Sequence, residues 1–172
     1  DPTMSRGLGD VYKRQDIVFV SLDGKYEKKY KPSSEWRFHQ DIYIKKKDAQ
    51  AIVHTHSTNA TALSVHKKPI PAFHYMVALA GGNDIKCAKY ATYGTRELSK
   101  NILKALNNRK ACLIANHGQI AFDKNLPDAF ELAQEVENLS LQYITALKLG
   151  KPKIPVSYTH LTLPTTTFGE IW

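Results

Sequence analysis

Two histidines one residue apart, His54 and His56, form the pattern with the clearest chemical meaning in this sequence. They follow a short apolar run, Ala51–Val53, which is typical of a strand. Side chains at i and i+2 of a strand project from the same face of the sheet. Imidazole is the commonest protein ligand for zinc and related metals, so two on one face make half of a metal site. Surface or hydrogen-bonded histidines give the same pattern, and the pair alone does not decide between these interpretations.

His117 is the third histidine that such a site could use. It lies in Asn116-His117-Gly118, between two apolar runs that are predicted to be strands. A plain turn residue explains this position as well as a ligand does. As a ligand, His117 would complete a set of three histidines with one open position, which is the layout of a catalytic zinc site.

A further polar cluster, Ser33-Ser34-Glu35, precedes a helical pattern. Backbone N–H groups at a helix N-terminus, together with serine hydroxyls, can hold a phosphate. Helix capping by serine and a favourable placement of Glu35 in the first turn explain the same residues without a ligand, and capping is the simpler interpretation. His39, one turn after Glu35, would lie either behind a site or, more simply, on the helix surface.

Two tyrosines, Tyr75 and Tyr93, lie near predicted loops or helix starts. A tyrosine there could donate a proton to a reacting group, although most tyrosines pack with a hydrogen-bonded hydroxyl. The residues alone leave this choice open.

The elements that would position these side chains alternate between strand and helix. Several neighbouring strands are close enough in sequence to pair as hairpins, which favours a mixed sheet over a doubly wound parallel one. We therefore predict an α/β (α+β-like) fold, a single three-layer domain whose mixed, largely antiparallel central sheet is covered by helices. The predicted strands are 16–20, a return strand from Lys25 after the turn at Asp23-Gly24, 51–56, 85–88, 111–115 and 119–122, and the predicted helices are 34–46, 57–66, 72–80, 95–106 and 127–149.

Composition excludes several classes of protein. The chain has 172 residues, 42% of them hydrophobic, and no apolar run approaches the roughly 20 residues of a membrane helix. The two cysteines, Cys87 and Cys112, are far apart and form no CxxC motif, which favours a reducing, cytoplasmic location. The net charge of +8 comes from scattered lysine clusters without a nucleic-acid motif. We expect neither nucleic acid nor membrane as a partner, and the charge suits an anionic substrate such as a sugar phosphate.

The two ends differ from the rest of the chain. Residues 1–15 lack helical or strand periodicity, and residues 156–172 form a threonine-rich tail. Both resemble translated sequencing-adapter segments. We expect them to be non-native or disordered, with one domain at 16–155 between them.

Five segments, in this order and spacing, resemble the class II aldolase/adducin family. The resemblance runs from Asp16 to about Leu149. The segments are PSSEWRFH (Pro32–His39), AIVHTH (Ala51–His56), IPAFHYM (Ile70–Met76), AGGNDIKCAKYATYGTRELS (Ala80–Ser99) and ANHG (Ala115–Gly118).

The resemblance implies a role for each candidate residue. It makes His54, His56 and His117 the ligands of Zn²⁺, with Glu35 as the acid/base residue that can also approach the metal when substrate is absent. It implies that Ser33 and Ser34 bind the substrate phosphate. Tyr75 would protonate the departing aldehyde from a neighbouring subunit, and Tyr93 would be an aromatic residue near the site.

The implied reaction is retro-aldol cleavage of L-fuculose 1-phosphate, or a similar ketose 1-phosphate, to dihydroxyacetone phosphate and L-lactaldehyde or a similar aldehyde. The implied assembly is a homotetramer with active sites between subunits. Family members carry two further phosphate-binding loops before the position of Asp16, so we expect this chain to be truncated and impaired. A pentulose-phosphate 4-epimerase and a non-catalytic, adducin-like interaction module remain as alternatives.

Overall fold

A computed structural model describes residues 17–29 and 31–155 of the chain. The predicted foreign ends, 1–15 and 156–172, lie outside the described residues. In chain order the elements are α1 (Trp36–Lys45), β1 (Ala51–Thr55), α2 (Thr58–Ser64), β2 (Ile70–Pro71), a 3₁₀ helix (Tyr75–Ala80), β3 (Asp84–Ile85), β4 (Cys87–Ala88), α3 (Arg96–Ala105), β5 (Ala111–Ile114), β6 (Gly118–Asp123) and α4 (Leu126–Lys148).

The central sheet has four strands in the order β1-β6-β5-β4. β6 pairs antiparallel with both β1 and β5, whereas β4 pairs parallel with β5. The strands β2 and β3 form a separate antiparallel pair. The prediction of a mixed, largely antiparallel sheet is therefore confirmed.

Helices cover both faces of this sheet, which gives the predicted three layers. Every residue of β5 is buried, because alternate side chains enter two different cores. On one face Leu113 packs with α2, α4 and the 3₁₀ helix, and on the other Ile114 packs with α1 and α3. Each fully buried side chain of this size stabilises the fold by about 1.5–3 kcal/mol. Among the described residues, no helix is long and apolar enough to cross a membrane.

The prediction of a hairpin before α1 is wrong in its strands but right in its turn. Gly24 adopts a left-handed φ of 82°, and its N–H donates to the Ser21 carbonyl. Beyond the turn, the described residues form one bridge, between Val20 and Tyr26. Phe19 is 82% exposed, so the described part of the chain offers this segment no second layer against which strands could bury a face.

The predicted strand at 85–88 is two strands in two sheets. Ile85 pairs with Ile70 in the small sheet, whereas Cys87 pairs with Leu113 in the central sheet. The chain changes sheets at Lys86, whose carbonyl accepts a hydrogen bond from the Leu113 N–H. The predicted helix at 72–80 is a shorter 3₁₀ helix, and it ends as expected at Gly81, which has a left-handed φ of 92°.

Candidate metal centre

The three candidate histidines lie at one edge of the central sheet. His54 is in β1, His56 follows that strand directly, and His117 lies in the turn between β5 and β6. Because β1 and β6 are antiparallel neighbours, the end of β1 meets the start of β6, with Thr55 opposite Gln119. The fold therefore brings together histidines that are more than sixty residues apart in sequence.

Glu35 completes the group from the N-terminus of α1. Its Oε2 lies 3.2 Å from His54 Nε2, and its Oε1 lies 2.9 Å from His117 Nε2. The Nε2 atoms of His54 and His56 are 3.1 Å apart. One ligand atom from each of the four residues lies within 4.8 Å of all the others. Three of the four side chains are half-buried and His56 is exposed, so the cluster opens to solvent on the His56 side.

A hydrogen bond from Nδ1 of His54 determines which ring nitrogen carries the proton. His54 Nδ1 lies 2.8 Å from the Gln119 carbonyl oxygen, which can only accept, so Nδ1 carries the proton. A neutral His54 ring with this proton on Nδ1 presents the lone pair of Nε2 to the cluster. A neighbouring backbone carbonyl behind a ligating imidazole is the usual way in which proteins orient such ligands.

These atoms fit a divalent cation of the zinc type. Two imidazoles on one tetrahedral Zn²⁺, each with a Zn–N bond of about 2.05 Å, would have nitrogens ~3.3 Å apart, close to the 3.1 Å observed between His54 and His56. Glu35 Oε1 is buried and lies 2.9 Å from His117 Nε2. An anionic oxygen and converging nitrogen lone pairs are the donors that such an ion needs.

The local electrostatics favour the ligating forms of Glu35 and His56. Burial opposes ionisation of Glu35, but its contacts with His117 and His54 outweigh burial and hold the Glu35 pKa well below its ordinary value. Burial lowers the pKa of His56, and the neighbouring imidazoles lower it further. Glu35 is thus a carboxylate and His56 is neutral near pH 7, which are the states that bind metals.

His39 lies behind the centre, which corrects the simpler expectation of a helix-surface residue. Its ring stacks on Phe38 with centroids 4.8 Å apart and lies 6.4 Å from the His54 ring. Phe38 is itself edge-on to His54 at 5.2 Å. Burial lowers the pKa of His39 to about 4, so this ring is neutral and acts as packing beneath the ligand.

Ser33 and Ser34 lie beside the centre at the start of α1, and both are exposed. The expectation that a serine caps this helix is wrong, because the N-cap position belongs to Glu35. Ser33 Oγ instead accepts a hydrogen bond from the Glu35 N–H at 3.2 Å. The two hydroxyls therefore lie on the turn that carries Glu35, at the start of α1.

The candidate tyrosines are in different surroundings. Tyr93 is 66% exposed and precedes Gly94, whose α-carbon approaches the Ser34 carbonyl so closely that a Cβ would lie 2.9 Å from it. Tyr93 is thus on a loop packed against the serine segment. Tyr75 is 54% exposed and contacts His74, and within the described residues no hydrogen bond or ring contact joins it to Glu35 or the three histidines.

Sequence reasoning missed two residues that build the centre. Gln119 supplies the carbonyl that orients His54. Gly118 lets β6 begin against β1, since a Cβ there would lie 2.3 Å from the Thr55 carbonyl oxygen and 3.2 Å from the Cα of His56. The glycine directly after His117 was a usable signal, whereas a backbone carbonyl leaves no trace in the residue type.

Known proteins resemble this chain in sequence and in fold. The family model described as Class II Aldolase and Adducin N-terminal domain matches residues 7–144. An aldolase of Rhodospirillum rubrum named for 5-methylthioribulose-1-phosphate and 5-deoxyribulose-1-phosphate is 52% identical over 139 residues, covering 81% of this chain and 63% of that protein. An L-fuculose phosphate aldolase of Escherichia coli O6:H1 is 53% identical over 140 residues, covering 81% of this chain and 65% of that protein.

A solved structure shares the fold as well as the sequence. It is an L-fuculose 1-phosphate aldolase with a TM-score of 0.80 and 43% identity, over 84% of this chain and 68% of that one. The chain spans less than two thirds of the length of the two curated relatives above. The family match and these identities confirm the resemblance read from the five sequence segments. The chain belongs to the class II aldolase and adducin N-terminal domain family.

Proposed function

We propose that this chain is part of a zinc-dependent aldolase of carbohydrate metabolism that cleaves a ketose 1-phosphate to dihydroxyacetone phosphate and an aldehyde. The observation that carries this proposal is the convergence of His54, His56, His117 and Glu35, whose ligand atoms lie within 4.8 Å of one another. L-fuculose 1-phosphate, with L-lactaldehyde as the second product, is the first substrate to test, because relatives named for it are about half identical to this chain.

In this proposal His54, His56 and His117 hold the Zn²⁺, and Glu35 approaches it when substrate is absent. When bound, the metal acts as a Lewis acid that stabilises the negative charge developing on the substrate oxygens as the carbon–carbon bond breaks. Glu35 moves the proton at the adjacent carbon, and its lowered pKa makes it a carboxylate that can accept one.

The remaining roles concern substrate binding and the leaving group. Ser33 and Ser34 bind the phosphate at the N-terminus of α1, which anchors the substrate away from the reacting bond and turns binding energy into orientation. Tyr75 protonates the departing aldehyde in the site of a neighbouring subunit, and its exposure in the single chain supports this role. Tyr93 lines the same site. The assembly is a homotetramer with active sites between subunits.

The domain that performs this chemistry is residues 16–155. Its location is cytoplasmic, a proposal supported by the two free thiols, Cys87 and Cys112.

A second substrate is favoured by a specific observation. The relative named for 5-methylthioribulose-1-phosphate is as similar to this chain, at 52% identity, as the relative named for fuculose phosphate. Both relatives are named for a phosphorylated ketose. The same phosphate-binding residues and metal chemistry would serve both substrates, and only the released aldehyde would differ.

The test is product analysis with the zinc-loaded chain. Each ketose 1-phosphate is incubated separately, and dihydroxyacetone phosphate is measured with a coupled dehydrogenase. Release that stops on chelation and is absent from a His56→Ala variant supports the aldolase. A pentulose phosphate is incubated in parallel, and its conversion to the C4 epimer, without release of dihydroxyacetone phosphate from any substrate, would support the 4-epimerase. Equal and negligible zinc content in wild type and His56→Ala would support the non-catalytic module.

A further inference from the structure

The short helix α2 begins directly after the histidine pair, and it does not cap itself. Ser57 occupies its N-cap position, yet the Ser57 side chain makes no capping hydrogen bond. The carboxylate of Glu137, 78 positions away on α4, takes that role. Its Oε1 accepts from both the N–H and the side-chain amide of Asn59 at 2.8 Å, and its Oε2 accepts from the Ala60 N–H at 2.8 Å. These are N–H groups that a helix leaves unbonded at its start.

Ser57 connects this cap to the core of the sheet. Its Oγ accepts a hydrogen bond from Gln119 Nε2 at 3.0 Å, and its backbone leads directly into the first turn of α2, which Glu137 caps. The same Gln119 nitrogen donates to the Ala133 carbonyl of α4 at 2.9 Å. Gln119 is 1% exposed, so these bonds are shielded from competing water.

The network contacts His54 through the Gln119 carbonyl and adjoins His56 through Ser57, the next residue in the chain. α2 has only seven residues, a length at which a helix has little stability of its own and depends on tertiary contacts. The direction in which the chain leaves His56 is therefore set by what holds Ser57 and the first turn of α2.

We propose that Glu137 is a positioning residue for the metal centre: by capping α2 directly after Ser57, it fixes the backbone at His56 and aims the His56 imidazole at the shared ligand position. The proposal rests on the metal site proposed above. Glu137 is not among the four residues whose ligand atoms converge, so its effect passes through Ser57 and the helix. Glu137 would thus support His56, the exposed member of the group, as the Gln119 carbonyl supports His54.

The test compares Glu137→Gln with Glu131→Gln in the full chain. The first variant replaces one carboxylate oxygen by an amide that donates, so one helix N–H loses its acceptor. The second makes the same charge change at an exposed position of the same helix. Zinc dissociation constants come from competition with a chromogenic chelator, and the absorption spectrum of the Co²⁺-loaded chain reports ligand geometry. We expect Glu137→Gln to weaken zinc binding roughly tenfold and to change the cobalt spectrum. Glu131→Gln should stay within about twofold of wild type, because exposed charges contribute little.

A variant that melts at lower temperature but keeps the wild-type zinc affinity and cobalt spectrum would show that Glu137 only stabilises α2, which overturns the proposal. Should Glu137→Gln fail to fold, Asn59→Ala decides instead. It removes the side-chain amide that donates to Glu137 Oε1 and leaves the bonds from the Asn59 and Ala60 N–H groups in place. A roughly threefold weakening supports the proposal, and unchanged affinity contradicts it. Absence of zinc binding by wild type would overturn the metal centre itself, an outcome distinct from equal binding by wild type and variant.

Discussion

His54 donates a hydrogen bond from Nδ1 to the carbonyl oxygen of Gln119, at 2.8 Å across the β1–β6 pair. This one bond joins the sheet to the centre, since it sets the orientation of the ring and leaves Nε2 free to ligate. The acceptor is a backbone carbonyl within the sheet, and its position is more fixed than that of a side chain.

Replacing His56 by alanine should weaken zinc binding by more than roughly a hundredfold, because the loss of a direct ligand exceeds the tenfold to hundredfold cost of losing an outer support. Equilibrium dialysis with metal analysis measures the effect. His66→Ala is the matched control, since His66 is an exposed histidine just beyond α2. Equal zinc retention by the two variants would contradict the assignment of His56.

Zinc should stabilise the folded chain. An ion that binds only the folded state at about a hundred times its dissociation constant adds about 2.7 kcal/mol to the free energy of unfolding. Thermal melts with and without added zinc measure this, and chelation should reverse the shift. The His56→Ala melt should respond little to zinc. A wild-type melt unaffected by zinc would argue against a metal centre.

Gly118→Ala should destabilise the fold and the centre together. The new Cβ would lie 2.3 Å from the Thr55 carbonyl, so β1 and β6 must separate next to His56. Overpacking of this kind costs typically 1–3 kcal/mol. Denaturant unfolding and zinc titration give the two readouts. Gly150→Ala is the control, because nothing lies within 4 Å of a Cβ there and only backbone strain at its φ of +127° is added. A Gly118→Ala chain with wild-type stability would show that the strands adjust freely.

The stabilising effect of Glu137 should depend on pH in one direction. Burial would raise the Glu137 pKa, but hydrogen bonds from Asn59, Ala60 and Ser57 outweigh burial and lower it below its ordinary value of 4.5. A carboxylate with a lowered pKa stabilises the fold fully above 4.5 and loses that effect as pH falls through the folded-state value. The difference in unfolding free energy between wild type and Glu137→Gln should therefore be constant near neutrality and shrink below 4.5. Urea unfolding across this range measures it, and a difference that grows on acidification would contradict the cap.

The ligand set could be predicted because its signal is local. The spacing of His54 and His56 on a strand, and the placement of His117 beside a glycine, are visible in the residues, and the family resemblance added Glu35. The residues that support the histidines could not be predicted, because they act through contacts between distant parts of the sequence. Glu137 and Asn59 are 78 positions apart, and nothing in either residue type indicates that they meet.

The fold errors have a similar cause. Periodicity predicted one strand at 85–88, but pairing with two different partners divides it between Ile85 and Cys87. The strand pattern before α1 was strong, yet Ile17 and Phe19 are exposed, and the described residues place no second layer over them. At α1 the N-cap position belongs to Glu35 and not to a serine. At α2 Ser57 holds the N-cap position, but the helix N–H groups donate to Glu137. Tertiary contacts, where they form and where they are missing, outweigh local propensity.

The bond from the Glu35 N–H to Ser33 Oγ places two proposed functions on one turn of chain. If these roles are right, the distance between the phosphate-binding serines and Glu35 is fixed by the covalent chain and does not depend on how two separate elements pack. That fixed distance must match the distance between the phosphate and the reacting carbon of the substrate. A phosphorylated sugar whose reacting carbon lies one bond nearer to or farther from the phosphate would bind out of register, so selection by length would be built into three consecutive residues.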